Sequence, residues 1–68
     1  MPERLANRLK DRRSELGLTQ AELAERVGVT RKTVNTVENG VFTPSATLAI
    51  KLAKALQLTV EDLFWIDH

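Results

Sequence analysis

Cysteine is missing from all 68 residues, which rules out a disulfide framework and a cysteine-based zinc site and suits a reducing compartment. Long apolar runs are missing too. The longest, Leu63 to Ile66, falls far short of the roughly 20 residues that a membrane-spanning helix needs. Met1 is followed by no apolar leader, so the expected location is the cytoplasm. Histidine is confined to His68 at the end of the chain, and no glycine-rich phosphate loop is present. The carboxylates Glu22, Glu25, Glu61 and Asp62 read as helix caps and solvated faces. No catalytic set emerges, and neither an enzyme, a metal, a cofactor nor a small-molecule ligand is expected.

Net charge is also scarce, at +1, so the total says little about a polyanionic partner and the distribution must carry that argument. Residues 1–13 hold Arg4, Arg8, Lys10, Arg12 and Arg13 against Glu3 and Asp11. From Arg26 to Val37 there are bases and no acid, whereas Glu61, Asp62 and Asp67 leave the last ten residues acidic. With 43% hydrophobic and 28% charged residues, the composition is globular rather than disordered. The length allows one domain, residues 1–68, without linker or repeat.

The breaks in the chain predict an all-α fold of five helices. Leu5, Leu9 and Leu16 recur at helical spacing before Gly17, giving helix one over about 4–15. Thr19 with Glu22 has the spacing of a capping box, and Leu23, Ala24 and Val27 form the buried stripe of helix two up to Gly28. Thr30 caps helix three, which turns Val34 and Val37 inward and stops at Asn39-Gly40. After the loop "VFTPS", in which Pro44 cannot continue a helix and Ser45 is placed as a cap, helix four spans about 46–56 with Leu48, Ala49, Leu52, Ala53 and Leu56 on one side. Thr59 with Asp62 repeats the box for a short turn at about 60–64, and "FWID" reads as a brief terminal strand.

Helix three is unusual. On a wheel of 100° per residue, Arg31, Asn35, Asn39, Lys32 and Thr36 share an arc of about 140°, opposite Val34 and Val37. Any surface helix has a polar side, but ordinary ones favour Glu and Lys; this one carries amides, a threonine and two cations with no acid. Such side chains exchange hydrogen bonds without repelling phosphate. Counting Gln20 as the first position, Leu23 is fourth, Ala24 fifth, Val27 eighth, Gly28 ninth, Val29 tenth, Val34 fifteenth and Val37 eighteenth, the spacing of a helix-turn-helix formed by helices two and three.

The stretch "LGLTQAELAERVGVTRKTVNTVENG" resembles the core of the Cro/repressor helix-turn-helix family, also called the xenobiotic response element family. Continued through "TPSATLAIKLAKALQLTVEDLF", the resemblance covers nearly the whole chain and is to short stand-alone regulators with a lambda-repressor-like domain. It implies a transcriptional regulator, more often a repressor, that binds double-stranded DNA with helix three in the major groove. On that resemblance, Arg31, Lys32, Thr33 and Thr36 sit where bases are contacted, while Gln20, Thr30, Asn35 and Asn39 match backbone-contacting places. Purely structural roles exist for three of these: Gln20 and Thr30 as helix-start residues and Asn39 as a C-terminal cap. Arg13 and Glu38 match a pair that bridges helices in related repressors, with spare Arg13 donors aimed at a phosphate. The loop departs from the family, because Val41 and Phe42 stand where many relatives carry Lys or Arg, leaving Thr43 as the polar substitute.

One reading head covers about half a turn of duplex, so a homodimer is expected. Its candidate surface is Ile50, Phe64, Trp65 and Ile66; closing the core is the competing role for Leu63, Phe64 and Trp65, and the better fit for Leu63 and Phe64. The competing reading is a protein-binding module, such as an antitoxin that binds DNA only together with a partner protein.

Overall fold

Four helices begin where a threonine or serine hydroxyl accepts a main-chain N–H, which is the chemistry that lets so short a chain start helices cleanly. The computed structural model describes residues 3–68. Among them the order is β1 (Arg4–Asn7), α1 (Leu9–Glu15), α2 (Gln20–Val27), α3 (Arg31–Glu38), α4 (Ala46–Ala55), α5 (Val60–Leu63) and β2 (Phe64–Asp67). Thr19 and Glu22 form the full capping box, each main-chain N–H bonded to the other's side chain at 2.9–3.0 Å. The expected second box, Thr59 with Asp62, forms its threonine half at 3.1 Å. An aspartate is one methylene shorter than the glutamate that closes such a box.

Helix one is a correction. Its expected first turn, residues 4–7, is a strand, and the helix starts at Leu9. Leu5 and Leu9 keep helical spacing, but Asn7 between them is a poor interior helix residue and a good one just ahead of a helix. Its Oδ1 accepts the Leu9 N–H at 3.0 Å. The residues before it find their partners in the terminal strand, with Arg4 opposite Asp67, Leu5 opposite Ile66, Ala6 opposite Trp65 and Asn7 opposite Phe64. The expected strand "FWID" is therefore present as β2, and its antiparallel partner is the segment assigned to helix one.

One core joins all five helices to this sheet. Leu9, Leu23, Leu52, Leu56, Leu63, Val34 and Val37 are its fully buried large side chains, with Ala24 and Ala53 letting α2 and α4 approach closely. Leu48 and Ala49, on the expected stripe of helix four, are partly buried against it. Phe64 is 6% exposed and belongs to this core. That removes it from the expected dimer surface; Ile50, Trp65 and Ile66 remain exposed.

The turn between α2 and α3 requires a left-handed residue, and Gly28 supplies it with φ of 76° while the Val29 N–H closes onto the Ala24 carbonyl at 3.0 Å. A Cβ at Gly28 would meet nothing, so the constraint there is conformational and not steric.

The Glu22 carboxylate is held below the ordinary glutamate value of 4.5, first by the Thr19 main-chain N–H, then by the Thr19 hydroxyl, with a smaller pull from Arg26. A pKa lowered by folding stabilises the folded state above the unfolded value and ceases to do so as pH falls through the folded one. Glu22→Gln is therefore expected to be less stable than the parent above about pH 4.5, with the two denaturation midpoints converging in more acidic solution. A constant gap across that range would contradict the charged cap.

Candidate nucleic-acid interface

The rear of α3 is clamped. Glu38, at its last turn, has a side chain only 3% exposed, and three donors from other elements meet its carboxylate. Arg13 of α1 donates through Nε to Oε2 at 2.6 Å and through Nη2 to Oε1 at 3.3 Å, and Gln20 at the start of α2 donates through Nε2 to Oε1 at 3.1 Å. Arg13 also gives its Nη1 to the Leu18 carbonyl at 2.8 Å, just ahead of α2. The expected Arg13–Glu38 pair is thus present as an enclosed two-pronged contact, and Gln20 is tied into it as well. Arg13 was also expected to turn donors toward a phosphate. Three of its five N–H groups are directed inward, where they position α3, and the second N–H of Nη1 and of Nη2 is left for another acceptor.

A second clamp was not foreseen. Asn7, at the end of β1, donates its Nδ2 to the Val37 carbonyl at 3.0 Å, the carbonyl that also accepts the Gly40 N–H at 3.1 Å. One amide therefore caps α1 with its oxygen and fixes the last turn of α3 with its nitrogen. The only trace of this in the sequence is an asparagine interrupting an otherwise helical "RLANRLK".

The front of α3 is open by contrast. Arg31 and Lys32 at its first two positions are exposed, as are Thr30, Asn35 and Asn39, while Thr33, Thr36 and Gln20 are half-buried. Thr30 caps the helix, accepting the Thr33 N–H at 3.3 Å and sharing a hydroxyl contact with Thr33 at 3.1 Å. The Thr36 hydroxyl donates to the Thr33 carbonyl at 2.9 Å, so both threonines have their hydroxyls committed locally. Asn39 donates Nδ2 to the Asn35 carbonyl at 2.9 Å, which is the capping role weighed for it, and leaves its Oδ1 in solvent. Of the expected contact residues, Thr30, Lys32, Thr33 and Thr36 share one shallow depression with Val41 and Phe42, whereas Asn39 lines the crevice toward β1. Thr43 follows in an exposed loop. That loop is locked to the helix because Gly40, with φ of 71°, lets the Val41 and Phe42 N–H groups both reach the Thr36 carbonyl, at 2.9 and 3.2 Å.

On the sheet, Trp65 of β2 lies 5.3 Å beneath the Arg8 guanidinium. Trp65, Ile66 and Ile50 remain 41%, 49% and 47% exposed.

Truncating one member of an enclosed ion pair leaves the other unpaired away from water, a loss of about 3 kcal/mol or more. Arg13→Ala and Glu38→Ala are each expected to lose that much in chemical denaturation. The pair Arg13→Met with Glu38→Leu should recover a large part of it. Losses below 1 kcal/mol for both single variants would mean that the clamp is solvated.

The family model for the helix-turn-helix matches residues 9–63. The HTH-type transcriptional regulator YgzD of Bacillus subtilis is 43% identical over 64 residues, which are 94% of this chain and 97% of that protein. An HTH-type transcriptional regulator of Methanothermobacter thermautotrophicus is 52% identical over 88% of each chain. Antitoxin HipB of Escherichia coli K12 is more distant, at 34% identity over 87% of this chain and 67% of its own. Among solved structures, the P22 c2 repressor in complex with a synthetic operator superposes with a TM-score of 0.77 at 31% identity, covering 79% of this chain and 82% of that one. A helix pair in the expected register, a five-helix body and matches that run nearly end to end lead to one conclusion: this chain belongs to the XRE-type helix-turn-helix family of transcriptional regulators.

Proposed function

We propose that the chain is a sequence-specific double-stranded DNA-binding regulator that acts in the cytoplasm as a repressor and grips a two-fold symmetric operator as a homodimer. The observation that carries this reading is the asymmetry of α3: its last turn is fixed by side chains from β1, α1 and α2, while its first turn holds Arg31 and Lys32 free in solvent. A helix held from behind and bare in front is what insertion into a major groove demands. Arg31 and Lys32 donate to guanine O6 and N7, and Thr33 and Thr36, with hydroxyls committed to the helix, offer methyl groups to the base edges. Gln20, Thr30, Asn35, Asn39 and Thr43 line the flanks, where phosphates pass. Gln20 retains one amide N–H beyond the one given to Glu38, at the N-terminus of α2 where the helix dipole favours an anion.

Dimerisation falls to Trp65, Ile66 and Ile50, the apolar side chains left exposed away from α3 and its loop. The likeness to antitoxin HipB favours one other reading, in which DNA is bound only within a complex with a partner protein.

Selection of duplexes from a random pool by the purified chain alone tests both. Recovery of a paired half-site supports the homodimer; recovery only when a co-purified protein is added supports the second reading. On the selected duplex, Arg31→Ala is expected to relax preference at one position of each half-site, a discrimination worth roughly 1–3 kcal/mol. Gln20→Ala should weaken all sequences alike. A uniform loss for Arg31→Ala would remove it from base reading.

A further inference from the structure

We propose that Arg4 supplies, from strand β1, the phosphate-binding cation that the loop after α3 lacks, so that the DNA contact surface extends beyond the helix-turn-helix onto the sheet. The inference rests on the DNA-binding reading above and adds to it a residue outside the helix pair.

The loop Val41–Pro44 carries no charge, and its polar member, Thr43, is a neutral hydroxyl. Strand β1 runs alongside. Arg4 lines, together with Asn39 and Gly40, the crevice between β1 and the end of α3, and lines with Phe42, Thr43 and Pro44 the adjoining crevice under the loop. A backbone phosphate lying against Asn39 and Thr43 would therefore have Arg4 beside it, the one cation lining both crevices. The one acid in the first crevice, Glu38, is already matched by Arg13 and adds no net repulsion. The Val37 carbonyl near by is likewise occupied, by the Asn7 amide and the Gly40 N–H.

Arg4 is also free to move. Its side chain is 83% exposed, and its ion-pair partner among the described residues is Asp67, at 3.7 Å from Nε and itself 52% exposed. A contact so long and so solvated is weak enough for a phosphate to displace it. Arginine suits the task because its planar fork presents parallel donors to two phosphate oxygens.

The test is the salt dependence of binding to a selected duplex, followed by fluorescence anisotropy over a range of potassium chloride. Each lost phosphate contact lowers the log–log slope by about 0.9, so Arg4→Ala should reduce it by about 1.8 in a dimer and weaken every sequence by the same factor. Arg4→Lys should keep the slope. Asp67→Asn breaks the same ion pair yet keeps the cation, and should also keep it, which separates phosphate contact from support of the strand pair. An unchanged slope in Arg4→Ala, or equal reductions in Arg4→Ala and Asp67→Asn, would overturn the inference while leaving the DNA-binding reading intact. A parent protein with no slope at all would remove both.

Discussion

The enclosed carboxylate of Glu38 is the constraint on which the geometry of this molecule turns. A charge this far from water is tolerable only if donors meet it from fixed directions, and they come from α1 and from the start of α2. An apolar contact at the same place would hold the helices together but would tolerate rotation and sliding. Hydrogen bonds at 2.6–3.3 Å do not. In a body whose core is built chiefly from leucines, valines and alanines, this polar knot sets the angle at which α3 leaves the surface.

The small sheet extends that logic to the two ends of the described chain. Strands β1 and β2 are four residues each, too short to be stable alone, and they rely on Leu5 and Phe64 packing into the helical core. In return they carry Asn7 to the back of α3 and present Trp65 and Ile66 on the outside. The surface assigned to a second copy and the helix assigned to DNA are therefore joined by a strand and one carboxamide rather than by a flexible segment. In the proposed dimer such a connection would restrict relative motion between the two reading heads, which is what a fixed half-site spacing requires.

How much of this was legible in the sequence depended on whether the signal was local. Capping residues act within three positions, so Thr19, Thr30, Ser45 and Thr59 marked four helix starts correctly. The alternation of Leu23, Ala24, Val27, Val34 and Val37 around Gly28 was enough to specify the helix pair, because each of those places has its own steric cause. Strand β1 escaped because its partner is some sixty residues away and Leu5 obeys helical spacing by coincidence. Phe64 and Trp65 show the same limit from the other side. As neighbours in a strand they face opposite ways, one into the core and one into solvent, and nothing local says which. The Arg13–Glu38 pair was readable only through family resemblance, and its enclosure, with Gln20 as a third member, became visible only when the three elements were brought together.

Charge placement follows from the same packing. A formal net charge of +1 would suggest indifference toward a polyanion. Yet several of the acids are engaged elsewhere: Glu38 is enclosed against Arg13, Glu22 is bound into its own capping box, and Glu61 and Asp62 sit in the first turn of α5. The span from Arg26 to Val37 holds bases and no acid. The local charge along this stretch is consequently more positive than the total implies. It is set by where each carboxylate stands, which composition alone does not record.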